Sequence, residues 1–395
     1  MRWLIVEDAL RDRKGHWFEY VGTFARELCT LGDDVTILAD RNAEAFLLEQ
    51  LSAQPVLPAS IWHRMGDGAG ALRRYLRVPI HARQTYRVLK NHLRRHEKFD
   101  VIFVPTVMVH HLLGWTWLIK RVLKGTSSRV VLFFPNTPVC LDAATNKPAW
   151  QPAPTAKLFC RLIRCLREEV KQGGVILGAE TGPMRAALTQ LTGVPFTYFP
   201  HPVALASEAS LSGSQADETR IVMGSYGSAR HEKGSDMLVA AVVEYTRRHP
   251  ATRVCFALQS VDGEAELWAQ LKDNAKVRLI PDYFGDGEYA RQLRATDVLL
   301  LPYRRSSYGL RVSRVVIEAM VQGIPVVTTK NTTLADQAKD FGAAVLCVDQ
   351  DVESLVNAIH EVEQNFTALK ALAARQKTAA RSHFSVAEFR RTLTR

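Results

Sequence analysis

Between residues 221 and 348, six short apolar runs (Ile221–Gly224, Val254–Ala257, Val277–Ile280, Val298–Leu301, Val326–Thr328 and Val345–Val348) are separated by amphipathic segments of helix length. Short continuous apolar runs bounded by turn residues read as strands buried on both faces. When such strands alternate with helices, right-handed crossovers place them in a parallel sheet. The first half repeats the pattern less regularly, with runs at Arg2–Val6, Val35–Leu38, Val101–Val104, Val130–Phe134 and Val175–Leu177. At 395 residues the chain exceeds the size at which one core stops growing. The expected fold class is therefore α/β, with a doubly wound, Rossmann-like domain in each half. Pro200-His201-Pro202 and the Ser- and Ala-rich stretch after it place a linker at 204–218, between a first domain at 1–203 and a second at 219–381. The segment 382–395, with Phe384, Phe389 and Leu393, is expected as a helix that crosses back onto the first domain.

Composition removes several classes. A hydrophobic fraction of 47% with 23% charged residues is that of an ordinary globular protein, so disorder is excluded. Six cysteines without a CxxC pair argue against a disulfide framework and a zinc site, and they read as reduced core residues. Trp3-Leu4-Ile5-Val6 runs directly into Glu7-Asp8 with no basic, apolar leader, which points to the cytoplasm. The window Val101–Ile119 is apolar, but Pro105, His110, His111 and Gly114 interrupt it, as in a buried strand entering a helix.

Residues 308–329 place Glu318 inside an apolar helix that Gly323 ends and Pro325 leads into the strand Val326–Thr328. Val315, Val316 and Met320 are expected to face the core. A carboxylate in that setting needs a partner: either a hydroxyl-rich ligand such as a ribose, or a salt bridge within the helix. The loop after Ile221–Gly224 reads GSYGSARHEKGSD, residues 224–236. Its glycines let backbone approach a phosphate, the following helix contributes partial positive charge, and Arg230 and Lys233 can neutralise a diphosphate.

Together these segments resemble the second domain of GT-B glycosyltransferases, in particular the retaining family called family 4 (glycosyltransferase group 1). The loop Ser228–Gly234, the run Ala295-Thr296-Asp297-Val298-Leu299-Leu300-Leu301-Pro302 and the run Glu318-Ala319-Met320-Val321-Gln322-Gly323-Ile324-Pro325-Val326-Val327 match its motifs in order, over residues 220–366. The resemblance implies two Rossmann-like domains facing each other across a cleft, and transfer of a sugar from a nucleotide-diphosphate sugar to an acceptor hydroxyl with retention. It implies donor binding by Gly227, Ser228, Arg230, Lys233, Arg311, Ser313 and Glu318, with Lys233 and Arg230 stabilising the leaving diphosphate and Glu318 accepting from the ribose. Neither a cofactor nor a metal is expected, since these cations replace the metal and no DxD-type cluster is present. Gly15 and His16 lie where the family has its acceptor-side glycine loop, and His201-Pro202-Val203 resembles its turn before the hinge. Two departures stand out. Leu310 occupies the position of the family's first sugar-contacting Glu, and Pro135-Asn136 that of its strand-end His, for which His110, His111 or Glu180 are the candidate substitutes. These departures keep open a noncatalytic nucleotide-sugar-binding protein or a nucleotide-sugar 2-epimerase of the same fold.

The net charge of +11 is concentrated in residues 1–200, where 27 Lys and Arg face 17 Asp and Glu. After Pro79, the residues Arg83, Arg87, Lys90 and Arg94 form one stripe of an expected helix, with Tyr86, Leu89 and Leu93 on another face. No aromatic-basic motif accompanies the charge, so nucleic acid is not expected. The stripe suits an anionic membrane surface at its inner face, with a glycan, a lipid-linked molecule or a small molecule as acceptor.

Overall fold

The computed structural model describes residues 1–12, 17–60, 71–95, 98–142, 145–203, 219–285 and 287–394, with backbone alone for 71–76. Gly15, His16 and the linker 204–218 lie outside the described residues. The chain divides into two compact units, Met1–Ala204 with Val386–Arg395, and Leu205–Ser385.

The first unit contains β1 (Arg2–Val6), β2 (Asp34–Asp40), β3 (Gln54–Leu57), β4 (Val101–Val104), β5 (Arg129–Phe134), a hairpin of β6 (Val139–Leu141) and β7 (Pro148–Trp150), β8 (Val175–Ala179) and β9 (Thr197–Tyr198). Its main sheet is parallel throughout, in the order β3-β2-β1-β4-β5-β8-β9. The strand order reverses between β1 and β4, and folds of this kind bind ligands at the carboxyl ends of the strands at such a point. The helix Val386–Thr394 belongs to this unit's core. Phe389 packs 4.5 Å from the Phe199 ring, 5.0 Å from Phe24 and 5.1 Å from Phe103. Arg390 secures the same helix through Asp33, whose oxygens also take Trp3 Nε1 and the terminal amine.

The second unit contains β10 (Ile221–Ser225), β11 (Val254–Gln259), β12 (Val277–Ile280), β13 (Val298–Leu301), β14 (Val326–Thr329) and β15 (Ala344–Cys347). They form a parallel sheet in the order β12-β11-β10-β13-β14-β15, with its reversal between β10 and β13. Helix boundaries follow local chemistry. Thr332 and Asp351 cap helix starts by accepting from Ala335 N and Ser354 N. Gly323, at φ 74°, ends the helix Arg314–Gln322 in the left-handed conformation. Within that helix Val316 and Met320 are buried as expected, whereas Val315 is half-buried.

Three sequence expectations need correction. The basic helix does not begin after Pro79 but runs from Ala71 to Arg95 through it; Pro79 sits on an exposed face, where water can satisfy the carbonyl left without a donor. The cysteines are not a core set, since Cys29 and Cys165 are exposed and only Cys347 is buried. Strands β3 and β9 and the β6–β7 hairpin were not expected, because Pro55 disguises an edge strand and two- or three-residue strands carry no periodicity. The window Val101–Ile119 resolves into β4 and the helix Val109–Leu118. No helix among the described residues is long and apolar enough to cross a membrane.

Candidate functional site

At the reversal point of the second unit, the chain leaves β10 through Tyr226 and turns at Gly227. This glycine has φ +96°, a backbone conformation that calls for glycine, and a Cβ there would lie 2.8 Å from Lys233 Nζ, displacing that ammonium. Its N–H donates to Gln259 Oε1 at 2.7 Å, and the Ser228 hydroxyl donates to Asp262 Oδ2 at 2.7 Å. The loop ends in a 3-10 turn, His231–Lys233, followed by Gly234 at φ +70°. A Cβ on Gly234 would meet the Pro302 carbonyl at 2.2 Å, so the turn lies directly on the end of β13. Arg304, buried, fixes it there. Its Nε donates to the His231 carbonyl at 2.9 Å, its backbone N–H to the Glu232 carbonyl at 3.0 Å, and its Nη2 to Asp236 Oδ2 at 2.6 Å.

This frame presents the Lys233 ammonium 5.8 Å from the Tyr303 ring centroid. Burial, followed by the charge of Arg230 and partly opposed by Glu232, pushes its pKa down to about 8. Arg230 and Arg311 flank Glu232, at 3.2 Å and 3.6 Å, and Arg311 also stacks over Tyr308 at 5.2 Å. The helices Ser235–Arg248 and Arg314–Gln322 begin here at Gly234 and Ser313 without a side-chain cap. Their first N–H groups remain available to an anion. Glu318 is 9% exposed and already partnered: Arg314 Nε donates to Oε1 at 2.7 Å, and the Tyr289 hydroxyl donates to Oε2. The intrahelical salt bridge is therefore present, and Tyr289 joins it. Leu310 is buried.

In the first unit, the carboxyl end of β1 carries Glu7 and Asp8. Burial, then the Asp8 charge, pushes the Glu7 carboxyl up to about 8. Burial opposes ionisation of Asp8 as well, but His111 and His81 beside it hold that carboxyl far below the usual range. His111 Nε2 and His81 Nε2 lie 3.0 Å and 3.1 Å from the same Asp8 oxygen. Burial and the neighbouring His111 push His110 down to about 2. His110 and His111 are thus interior groups packed with Asp8, not surface side chains. Glu180 is also buried, with its Oε1 2.9 Å from His201 Nδ1, and the His201 ring stacks on Tyr20 at 4.9 Å. Along the basic helix, Arg83, Arg87 and Arg94 are exposed, and Lys90 is half-buried over Tyr86 at 5.7 Å. None of the four forms a salt bridge to a described residue.

Residues 207–383 match the model of the family described as glycosyl transferases group 1. The second unit is a group 1 glycosyltransferase domain. Solved structures resemble the whole chain and share its GT-B fold. HepE of Anabaena in complex with UDP-glucose superposes with a TM-score of 0.64 at 14% identity, covering 100% of this chain and 98% of that one. Sucrose-phosphate synthase from Thermosynechococcus elongatus gives 0.64 at 16%, with 100% and 96% covered. The α,α-trehalose 6-phosphate synthase from Burkholderia multivorans gives 0.66 at 13%, with 100% and 95% covered. At these identities the likeness is one of fold. No curated protein matches the sequence.

Within the glycosyltransferase domain, the structure gathers Gly227, Ser228, Arg230, Lys233, Arg311 and Ser313 around the ends of β10 and β13, with Glu318 one turn into the helix that Ser313 opens. Sequence reasoning missed Arg304 and Tyr289. Arg304 is one of two adjacent arginines with nothing to separate them, and Tyr289 lies far upstream of Glu318 without a shared motif. The group Asp8, His110 and His111, of metal-ligating type, also went unseen because its members sit about a hundred residues apart.

Proposed function

We propose that the chain transfers a sugar from a nucleotide-diphosphate sugar to an acceptor hydroxyl with retention of configuration. The observation that carries this reading is the Lys233 ammonium, half-buried and without a salt bridge to a described residue, set between two uncapped helix N-termini where the sheet order reverses. A cation so placed is only partly balanced by Glu232, and a diphosphate supplies the missing counter-charge. As the bond from anomeric carbon to phosphate oxygen breaks, negative charge grows on the departing diphosphate. Lys233, Arg230 and Arg311 would stabilise it, while the acceptor oxygen attacks the face being vacated and its proton passes to the leaving diphosphate. Arg230 and Arg311 would release Glu232 to do so. Glu318 would accept from the ribose with the lone pairs that Arg314 and Tyr289 leave open. HepE binds UDP-glucose, which supports a nucleotide sugar as donor.

Because these cations take the part of a metal, turnover should survive brief treatment with EDTA. Abolition that Mg²⁺ or Mn²⁺ reverses would contradict this assignment.

We further propose that the stripe Arg83, Arg87, Lys90 and Arg94 rests on an anionic membrane carrying the acceptor. Arg83, Arg87 and Arg94 are exposed and none of the four forms a salt bridge to a described residue, which supports this, with each basic residue contributing about 1 kcal/mol near such a surface. The expected result is cosedimentation with vesicles containing anionic lipid that weakens with salt and drops sharply when all four become Glu. Absence of binding at low salt would reject the membrane role.

A further inference from the structure

The reversal point of the first unit holds a second cluster that the sugar-transfer chemistry leaves unused. Four side chains meet there from three elements: Asp8 after β1, His81 from the helix Ala71–Arg95, and His110 and His111 from the helix Val109–Leu118. They are 8%, 4%, 8% and 5% exposed. The two helices cross tightly enough to force the meeting, since a Cβ on Gly114 would lie 3.0 Å from the Ala82 carbonyl. The His81 ring consequently sits 5.4 Å from that of His110 and 5.5 Å from that of His111.

Among the described residues, hydrogen bonding accounts for only one of the three rings. His111 Nδ1 accepts the Met108 N–H at 3.1 Å, which puts its proton on Nε2, where it donates to Asp8 Oδ2 at 3.0 Å. That bond orients the carboxylate. His81 Nε2 lies 3.1 Å from the same oxygen without the alignment of a hydrogen bond. Asp8 Oδ1, both nitrogens of His81 and His110 Nε2 are buried and have no hydrogen-bond partner among the described residues. Buried polar atoms are rarely left so, and here four belong to neighbouring groups that all present lone pairs. Asp8, His110 and His111 each bring a donor atom within 4.8 Å of the others; His81 stands outside that trio, with its Nε2 3.1 Å from Asp8 and its ring 5.4 Å from that of His110. The edge of a tetrahedral zinc site is about 3.3 Å, so the Asp8–His81 spacing is already that of two ligands on one ion.

We propose that Asp8, His81 and His110 bind a divalent transition-metal ion, with Zn²⁺ the best match, and that His111 orients the Asp8 carboxylate. Two imidazoles and a carboxylate are a donor set suited to zinc and unlike the all-oxygen sets of Mg²⁺ or Ca²⁺. A carboxylate held by a hydrogen-bonding histidine is the kind of outer support such sites use. The fourth position falls to water. Beside Asp8 and His111 lies a cavity of about 20 Å³, lined also by Thr85 and Thr106 but not by His81 or His110, large enough for one water molecule. The Thr85 hydroxyl is itself buried without a partner among the described residues. An ion here ties both helices to the end of β1 and sets the seat of the basic helix, so its effect is on stability and on the first unit.

The test uses the full-length chain with any affinity tag removed, dialysed against chelator-treated buffer and analysed for metals by mass spectrometry. The expected result is one equivalent of zinc per chain. Prolonged stripping with a strong chelator should lower Tm by several degrees, and Zn²⁺ but not Mg²⁺ should restore it. His81→Gln and His110→Gln should each lose the metal, while His360→Gln in the other unit keeps it. The wild-type measurement stands whether or not these variants fold. Substoichiometric zinc with a Tm indifferent to added Zn²⁺ would show that the cavity holds only water and overturn the proposal, as would full zinc retention in the His81→Gln, His110→Gln double variant.

Discussion

Replacing Lys233 with alanine is expected to lower kcat by about 10²–10³-fold, a loss of roughly 3–4 kcal/mol of transition-state stabilisation, with a much smaller change in donor affinity. The asymmetry follows from where the charge is. On the proposed reading, the diphosphate of the ground state would be shared among Lys233, Arg230, Arg311 and two helix N-termini, so one cation would be partly redundant. In the transition state new charge accumulates on the leaving oxygens, and the desolvated ammonium gains most there. The pH profile gives an independent check. Because burial lowers the Lys233 pKa from 10.5 to about 8, the cation is lost as pH rises through that value. In the free enzyme kcat/KM should therefore fall above about pH 8, and Lys233→Arg should move that limb to higher pH. Equal losses in kcat and donor binding for Lys233→Ala would reduce Lys233 to a ground-state contact.

Glu318→Gln is expected to weaken donor binding by about 1.5–3 kcal/mol, as for a hydrogen bond to a charged group, while the chain still folds. The carboxylate has room for this role. Arg314 and Tyr289 take one position on each oxygen, and an ionised carboxyl offers about four. The amide would turn a donor toward Arg314, Tyr289 or the ribose and spoil at least one of these bonds. Tyr289→Phe separates the two roles, because it removes a support of Glu318 without touching the charge. If calorimetry finds unchanged donor affinity in Glu318→Gln while Tm drops in both variants, Glu318 is an internal helix anchor only.

What could be read in advance had a local physical signature. The β-branched runs became buried parallel strands because nothing else accommodates such short apolar segments between helices. Gly234 and Gly323 mark places where backbone conformation, packing or both exclude a side chain, and each stands at a short, fixed spacing from Lys233 or Glu318 along the chain. What escaped was assembled from distance. Arg304 matters because β13 ends beside β10, a consequence of sheet order and not of its own neighbours in the chain. The salt bridge of Glu318 was legible as an i,i+4 pair with Arg314, whereas its second partner Tyr289 was not. His81 was hidden in a helix whose arginines dominate its pattern, and its buried face emerges only when the crossing at Gly114 brings the helix Val109–Leu118 against it.

The most direct measurement follows UDP-, GDP-, ADP- and dTDP-sugars with the full-length chain, first by calorimetry and then by NMR of the products with and without a panel of hydroxyl acceptors. Retaining transfer predicts saturable binding of one donor, acceptor-dependent release of the nucleoside diphosphate, and a glycoside with the donor's anomeric configuration. A donor that binds and is recovered intact with every acceptor, or that returns without acceptor as its C2 epimer, would contradict it.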